Sequence, residues 1–196
     1  MTNKISNLFI SLSLAMALAV IASNYLVQFP INYYGLEEIL TYGAFSYPIT
    51  FLITDLANRA LGKVVARKIV LVGFVIGILL TFVVSTNFSD LISVRIAIGS
   101  GLAFLIAQNV DVQVFEALRK NKIWFIAPLF SSFIGSSIDT FIFFFISFYK
   151  TGVPWVTLAF GDLAVKILVS LIMLIPFRIF IKQIKDYKSG IKYKVR

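Results

Sequence analysis

Runs of apolar residues, each about a helix long and separated by short polar breaks, recur from one end of the chain to the other. They fall at residues 6–28, 43–61, 69–86, 95–116, 123–148 and 155–177. At about 1.5 Å of rise per residue, a helix of this length crosses most or all of a hydrocarbon layer roughly 30 Å thick. The pattern predicts six transmembrane helices. Their short connections make neighbours antiparallel, so the expected architecture is one compact all-α bundle forming a single membrane domain over residues 1–196, with a basic tail at 178–196. Ala15-Met-Ala17 and Ala17-Leu-Ala19 look like signal-peptide cleavage sites. The apolar run continues to Val27, however, and five further spans follow, so an uncleaved first helix is expected.

Composition supports a membrane protein. Hydrophobic residues make up 59% of the chain and charged ones 14%, well above the roughly 45–50% apolar content of soluble domains. The net charge of +9 follows from topology, because the bases cluster at alternate loops: Lys4, then Lys63, Arg67 and Lys68, then Arg119, Lys120 and Lys122, then Arg178 and the tail. The opposite loops hold Arg95 and Lys150 with Glu37, Glu38 and Asp90, so both termini are expected to be cytoplasmic. The tail from Lys182 to Arg196 suits anionic lipid headgroups, and no nucleic-acid role is expected.

Within the spans, polar groups align at helical spacing. Phe45, Pro48, Leu52, Asp55 and Arg59 share one face of the second span. Gly101, Phe104, Gln108, Asp111 and Phe115 share one of the fourth; Ser132, Gly135, Ser136, Asp139 and Phe143 one of the fifth. The sixth carries Asp162 and Lys166 at i and i+4, and the first ends in Asn24 and Gln28. A charge at membrane depth costs at least about 2.5–3.5 kcal/mol, so such groups face a bundle interior or a wet cavity. Asp162 with Lys166, and Asp55 with Arg59, read as self-neutralising pairs or as coupling and gating groups. Asp111 and Asp139 lack a base one turn away, which makes them the stronger binding candidates around one shared chamber. Gln108 and Ser136 read equally well as interhelical hydrogen-bond partners.

The inventory excludes much chemistry. Without Cys or His there are no disulfides, no thiolate or Ser-His-Asp catalysis and no common zinc set, and no GxxxxGK[ST] phosphate loop is present. No metal or cofactor is expected. A membrane-embedded aspartyl enzyme or a scaffold is the less favoured alternative to a small-molecule carrier.

Five ordered stretches, SNYLVQFP (23–30), YGAFSYPITFLITDL (42–56), QNVDVQVFEALR (108–119), SSIDTFIFFFISF (136–148) and GDLAVKILVS (161–170), resemble the vitamin uptake transporter family of bacterial inner-membrane proteins. The resemblance implies import of 7-cyano-7-deazaguanine, or its 7-aminomethyl relative, for salvage into the tRNA nucleoside queuosine. Another small heterocycle or vitamin is the alternative cargo. On that reading Asp139 or Asp111 accepts the N1–H and exocyclic NH₂ of a guanine-like edge. Gln108, Asn24, Gln28 and Ser136 supply further polar contacts, and Phe45, Phe104 or Trp155 stacks on the ring. The family's likeness to energy-coupling-factor substrate-binding subunits raises docking of an ATPase module on Ala15-x-x-x-Ala19, a less favoured reading. Gly73-x-x-x-Gly77 is a candidate seam for a homo-oligomer.

Overall fold

A computed structural model describes residues 2–33, 35, 40–85 and 90–183. Its helices are α1 (Thr2–Leu26), α2 (Gly43–Ser46), α3 (Pro48–Leu61), α4 (Lys63–Ser85), α5 (Leu91–Leu118), α6 (Ile126–Phe148) and α7 (Trp155–Gln183). Among the described residues, four helices are long and apolar enough to cross a membrane: Ile5–Leu26, Leu91–Leu118, Ile126–Phe148 and Trp155–Lys182. Glu37, Glu38, Asn87 and the tail beyond residue 183 lie outside the described residues.

The chain is sorted in reverse of a soluble protein. Leu18, Leu79, Phe133, Phe160, Leu168 and Ile175 are exposed, whereas Thr50, Asp55, Asn58, Gln108, Asp111, Asp139, Asp162 and Lys166 are buried. This is the arrangement an apolar solvent enforces, since only the interior offers polar groups a partner.

The second expected span is not one helix. It divides at Tyr47 into α2 and α3, with Pro48 at the first position of α3. Proline has no N–H and clashes with the carbonyl four residues earlier, so it starts a helix rather than continuing one. The backbone nevertheless keeps right-handed helical torsions through Tyr47, at φ −60° and ψ −39°. Phe45 is 47% exposed while Tyr47 is 8% exposed.

Small residues let the helices close. A Cβ at Gly77 would lie 2.7 Å from Val20 Cγ1, and one at Gly73 would collide with Met16, so the Gly73-x-x-x-Gly77 seam is filled by α1 of the same chain. This corrects its reading as a self-association surface. Ala15 and Ala19 likewise pack against the α1–α3–α4 core. Between α3 and α4, Gly62 sits at φ 81°, ψ 166°, a region open essentially to glycine alone. Gly62→Ala is expected to destabilise the fold by roughly 1–3 kcal/mol, read as earlier thermal unfolding in detergent.

Candidate functional site

Two ends of the bundle can be told apart by side-chain bonds. Arg59 Nη1 donates to the Arg119 carbonyl at 2.7 Å, tying the last turns of α3 and α5 together at the end that also bears Lys63, Arg67 and Lys68. At the other end Arg95 donates to the carbonyls of Ile146 and Tyr149, and Ser46 Oγ donates to Ser23 Oγ at 3.0 Å.

Near this second end lies a slim cleft lined by Ser23, Asn24, Val27, Gly43, Tyr47, Ser100, Asp139, Phe143, Asp162 and Lys166. Its centre is the Lys166 ammonium. The ammonium donates to Asp139 Oδ2 at 2.9 Å, to Asp162 Oδ2 at 2.6 Å and to Thr140 Oγ1 at 3.1 Å. Those three bonds use all three of its donors. Tyr47 closes the cluster: its hydroxyl donates to Asp139 Oδ1 at 2.8 Å and its ring lies 4.7 Å from the ammonium. Thr140 Oγ1 donates to Asp162 Oδ2 at 2.8 Å. Two carboxylates against one ammonium leave an excess of acceptors facing the cleft. Each carboxylate oxygen also has room for more than one donor. On the facing wall Ser100 Oγ donates to Asn24 Oδ1 at 2.5 Å.

The sequence pairing of Asp162 with Lys166 is therefore present, and Lys166 reaches Asp139 as well, across helices. Asn24 lines the cleft as expected. The other candidates sit elsewhere. Gln108 is held between two threonines of α3, accepting from Thr54 Oγ1 at 2.5 Å and donating to Thr50 Oγ1 at 2.9 Å. Both ends of its amide thus serve helix packing. Gln28 is exposed and donates to the Asn24 carbonyl. Phe45 faces outward, on the same side as the exposed Ile49 four residues on. Phe104 is buried behind Tyr47, edge-on to it at 6.3 Å and stacked on Phe74. Trp155 packs edge-on against Phe145 at 5.7 Å. Ser136 is fully buried with no partner for its hydroxyl and does not line the cleft.

Asp111 is the main correction. It is fully buried, as expected, yet it lies beside Gly135, one turn of α6 from Asp139 and nearer the basic end; a Cβ on Gly135 would be 3.3 Å from Asp111 Cβ. The two acids do not share the cleft. Asp55 and Arg59 also diverge, Asp55 accepting from Ser131 Oγ at 3.1 Å and Arg59 turning to Arg119. Tyr47, Ser100 and Phe143 line the cleft without having been singled out for it. Only Phe143, four residues from Asp139 on α6, carried a signal in spacing.

Helices that are apolar outside and polar within, converging on a cleft with buried charges, are the arrangement of a membrane protein with an internal polar site. Residues 41–181 match the profile described as "Putative vitamin uptake transporter", and the chain belongs to the vitamin uptake transporter family. It is accordingly a multi-pass membrane transporter and not an enzyme. It is similar to the queuosine precursor transporter of Escherichia coli strain K12, 35% identical over 84% of this chain and 82% of that one. It is also similar to the probable queuosine precursor transporters of Haemophilus influenzae, 35% identical over 79% and 78%, and of Bacillus subtilis, 30% identical over 80% and 77%. No solved structure gives a significant match.

Proposed function

We propose that this chain imports a queuosine precursor, 7-cyano-7-deazaguanine or its 7-aminomethyl relative, across the bacterial inner membrane as a six-span bundle with both termini cytoplasmic. The names of its relatives support the cargo class, and the bases at the α3–α4 and α5–α6 connections support the orientation. The cleft then opens toward the outside. The observation that carries the reading is the acceptor-rich cluster of Tyr47, Asp139, Lys166 and Asp162 within a narrow space. A deazaguanine presents N1–H and an exocyclic NH₂ side by side, and Asp139 with Asp162 supplies acceptors for both. Lys166 and the Tyr47 hydroxyl hold Asp139 in place, Asn24 and Ser100 meet the polar atoms of the opposite edge, and Tyr47 or Phe143 lies on the ring face.

The chain works without an ATPase module on this reading, since Ala15 and Ala19 already pack within it. The test is thermal unfolding of the purified protein with increasing 7-cyano-7-deazaguanine. A stabilisation that grows with the logarithm of ligand concentration is expected, together with restored queuosine in a precursor-deficient strain expressing the chain. Stabilisation by an unrelated vitamin but not by deazaguanines would reassign the cargo.

A further inference from the structure

We propose that Asp55 of α3 and Asp111 of α5 form a proton-binding site, distinct from the cleft, that couples import to the proton gradient. The inference rests on the transport reading above.

The geometry begins with burial. Asp55 is 1% exposed and Asp111 fully buried. Ser131 Oγ on α6 lies 3.1 Å from Asp55 Oδ1, and Asp111 packs against Gly135, one turn along the same helix, so α6 brings the two acids to neighbouring positions. Neither carboxyl oxygen of Asp111 has a hydrogen-bond partner. Two ionised carboxylates at neighbouring positions of a buried interior repel, and one with no donor is strongly disfavoured, so the pair is stabilised when one member carries a proton.

Among the described residues, the groups nearest the pair are mostly hydroxyls. From α6 they are the hydroxyls of Ser131 and Ser132. From α3 the next ionisable group is Arg59, one turn on, whose guanidinium donates to the Arg119 carbonyl. From α7, Ser170 and Phe177 border a small pocket that reaches Asp55 and Ser132, while Lys166 is committed to Asp139 and Asp162. On this proposal the proton leaves through that pocket, which Asp55 lines and which extends along α7 to Phe177. Loading adds one proton to a carboxylate oxygen of the pair; release returns it to water on the far side. No bond to the cargo is made or broken.

The same two helices span both sites. Tyr47, at the N-cap of α3, is eight residues from Asp55, and Ser131 is eight from Asp139 on α6, which is about 12 Å of chain rise in each case. Ser132, Ser136 and Asp139 follow one face of α6. Loss of the proton charges the α3–α5–α6 junction and drives α3 away from its neighbours. Because Tyr47 directly precedes α3 and α6 carries Asp139, that movement alters the cleft. Proton occupancy and cleft geometry are thereby linked.

Two readouts on the full-length chain test this. Infrared spectroscopy of the purified protein near neutral pH is expected to show a protonated carboxylic acid absorption that Asp111→Asn removes and Asp139→Asn leaves. In proteoliposomes with an imposed pH gradient, acid outside, one coupled proton sets a limit of about tenfold accumulation of 7-cyano-7-deazaguanine per pH unit. Asp111→Asn is expected to keep ligand-induced stabilisation and exchange of labelled ligand but to reach an accumulation ratio of one. Asp55→Asn gives the same result and stands in if Asp111→Asn fails to fold. Absence of the infrared band, accumulation that follows a sodium gradient instead, or full gradient-driven accumulation by the variants overturns the proposal. If the wild-type protein binds no deazaguanine, the cargo assignment fails, while the infrared comparison still decides whether the pair holds a proton.

Discussion

Asp139→Asn is expected to abolish precursor binding while leaving the protein folded. The substitution is nearly isosteric, so the packing around Tyr47 and Phe143 stays in place. Its amide nitrogen, however, replaces an acceptor with a donor that faces either the Lys166 ammonium, 2.9 Å from Oδ2 in the native protein, or the Tyr47 hydroxyl, 2.8 Å from Oδ1. A guanine-like edge brings two more donors to the same spot. Truncating one partner of a buried charged hydrogen bond typically costs 2–5 kcal/mol of binding, or roughly 30-fold to a few thousand-fold in affinity. The measurement is ligand-induced thermal stabilisation followed by uptake of labelled 7-cyano-7-deazaguanine. Asp111→Asn in the same binding assay is expected to leave affinity unchanged, because Asp111 lies a helical turn away from the cleft. The reverse pattern would move the acceptor role to Asp111.

Lys166→Met is expected to destabilise the bundle strongly. Its side chain keeps the volume and flexibility of lysine's stem but leaves Asp139 and Asp162 facing each other without the cation that both contact. Removing one partner from a buried ion pair costs about 3–5 kcal/mol, because the remaining charge stays desolvated and uncompensated. The loss should appear as lower yield and a marked fall in unfolding temperature in detergent. Adding Asp162→Asn to Lys166→Met is expected to recover part of it, since only one carboxylate then lacks a counter-charge. The double-mutant coupling separates electrostatics from packing. Equal destabilisation in the single and double variants would mean that the Lys166 stem, not its charge, supports the α6–α7 contact.

The contrast between these two substitutions follows from geometry. Asp139 faces the cleft and also holds Tyr47 and Lys166, so neutralising it affects the ligand first. Lys166 is the hub of three bonds, so neutralising it affects the fold first.

How much of this was legible before the structure can be judged residue by residue. The buried acids were recognisable because a charge inside an apolar run has nowhere favourable to go but inward, and Asp55, Asp111, Asp139 and Asp162 are all buried. The Asp162–Lys166 bond was legible because i and i+4 are neighbours on any helix. The all-helical character and the apolar exterior followed from run length and solvent alone. Phe45 was misread because a helical face drawn from one turn spans both wall and rim: Phe45 shares its exposure with Ile49 four residues on, while Tyr47 and Phe51 turn inward together.

What remained hidden was how faces meet. Lys166 reaches Asp139 over 27 positions of sequence, Tyr47 reaches the same carboxylate over 92, and Gln108 is claimed by two threonines over 54 and 58. The chain by itself determined that these polar groups must leave the lipid, because hydrocarbon offers them no partners. The tertiary structure decided which of them share a cleft and which form a separate acidic pair, since that depends on how the broken α2–α3 segment, α5, α6 and α7 turn toward one another, and helical periodicity carries no record of a neighbour's rotation.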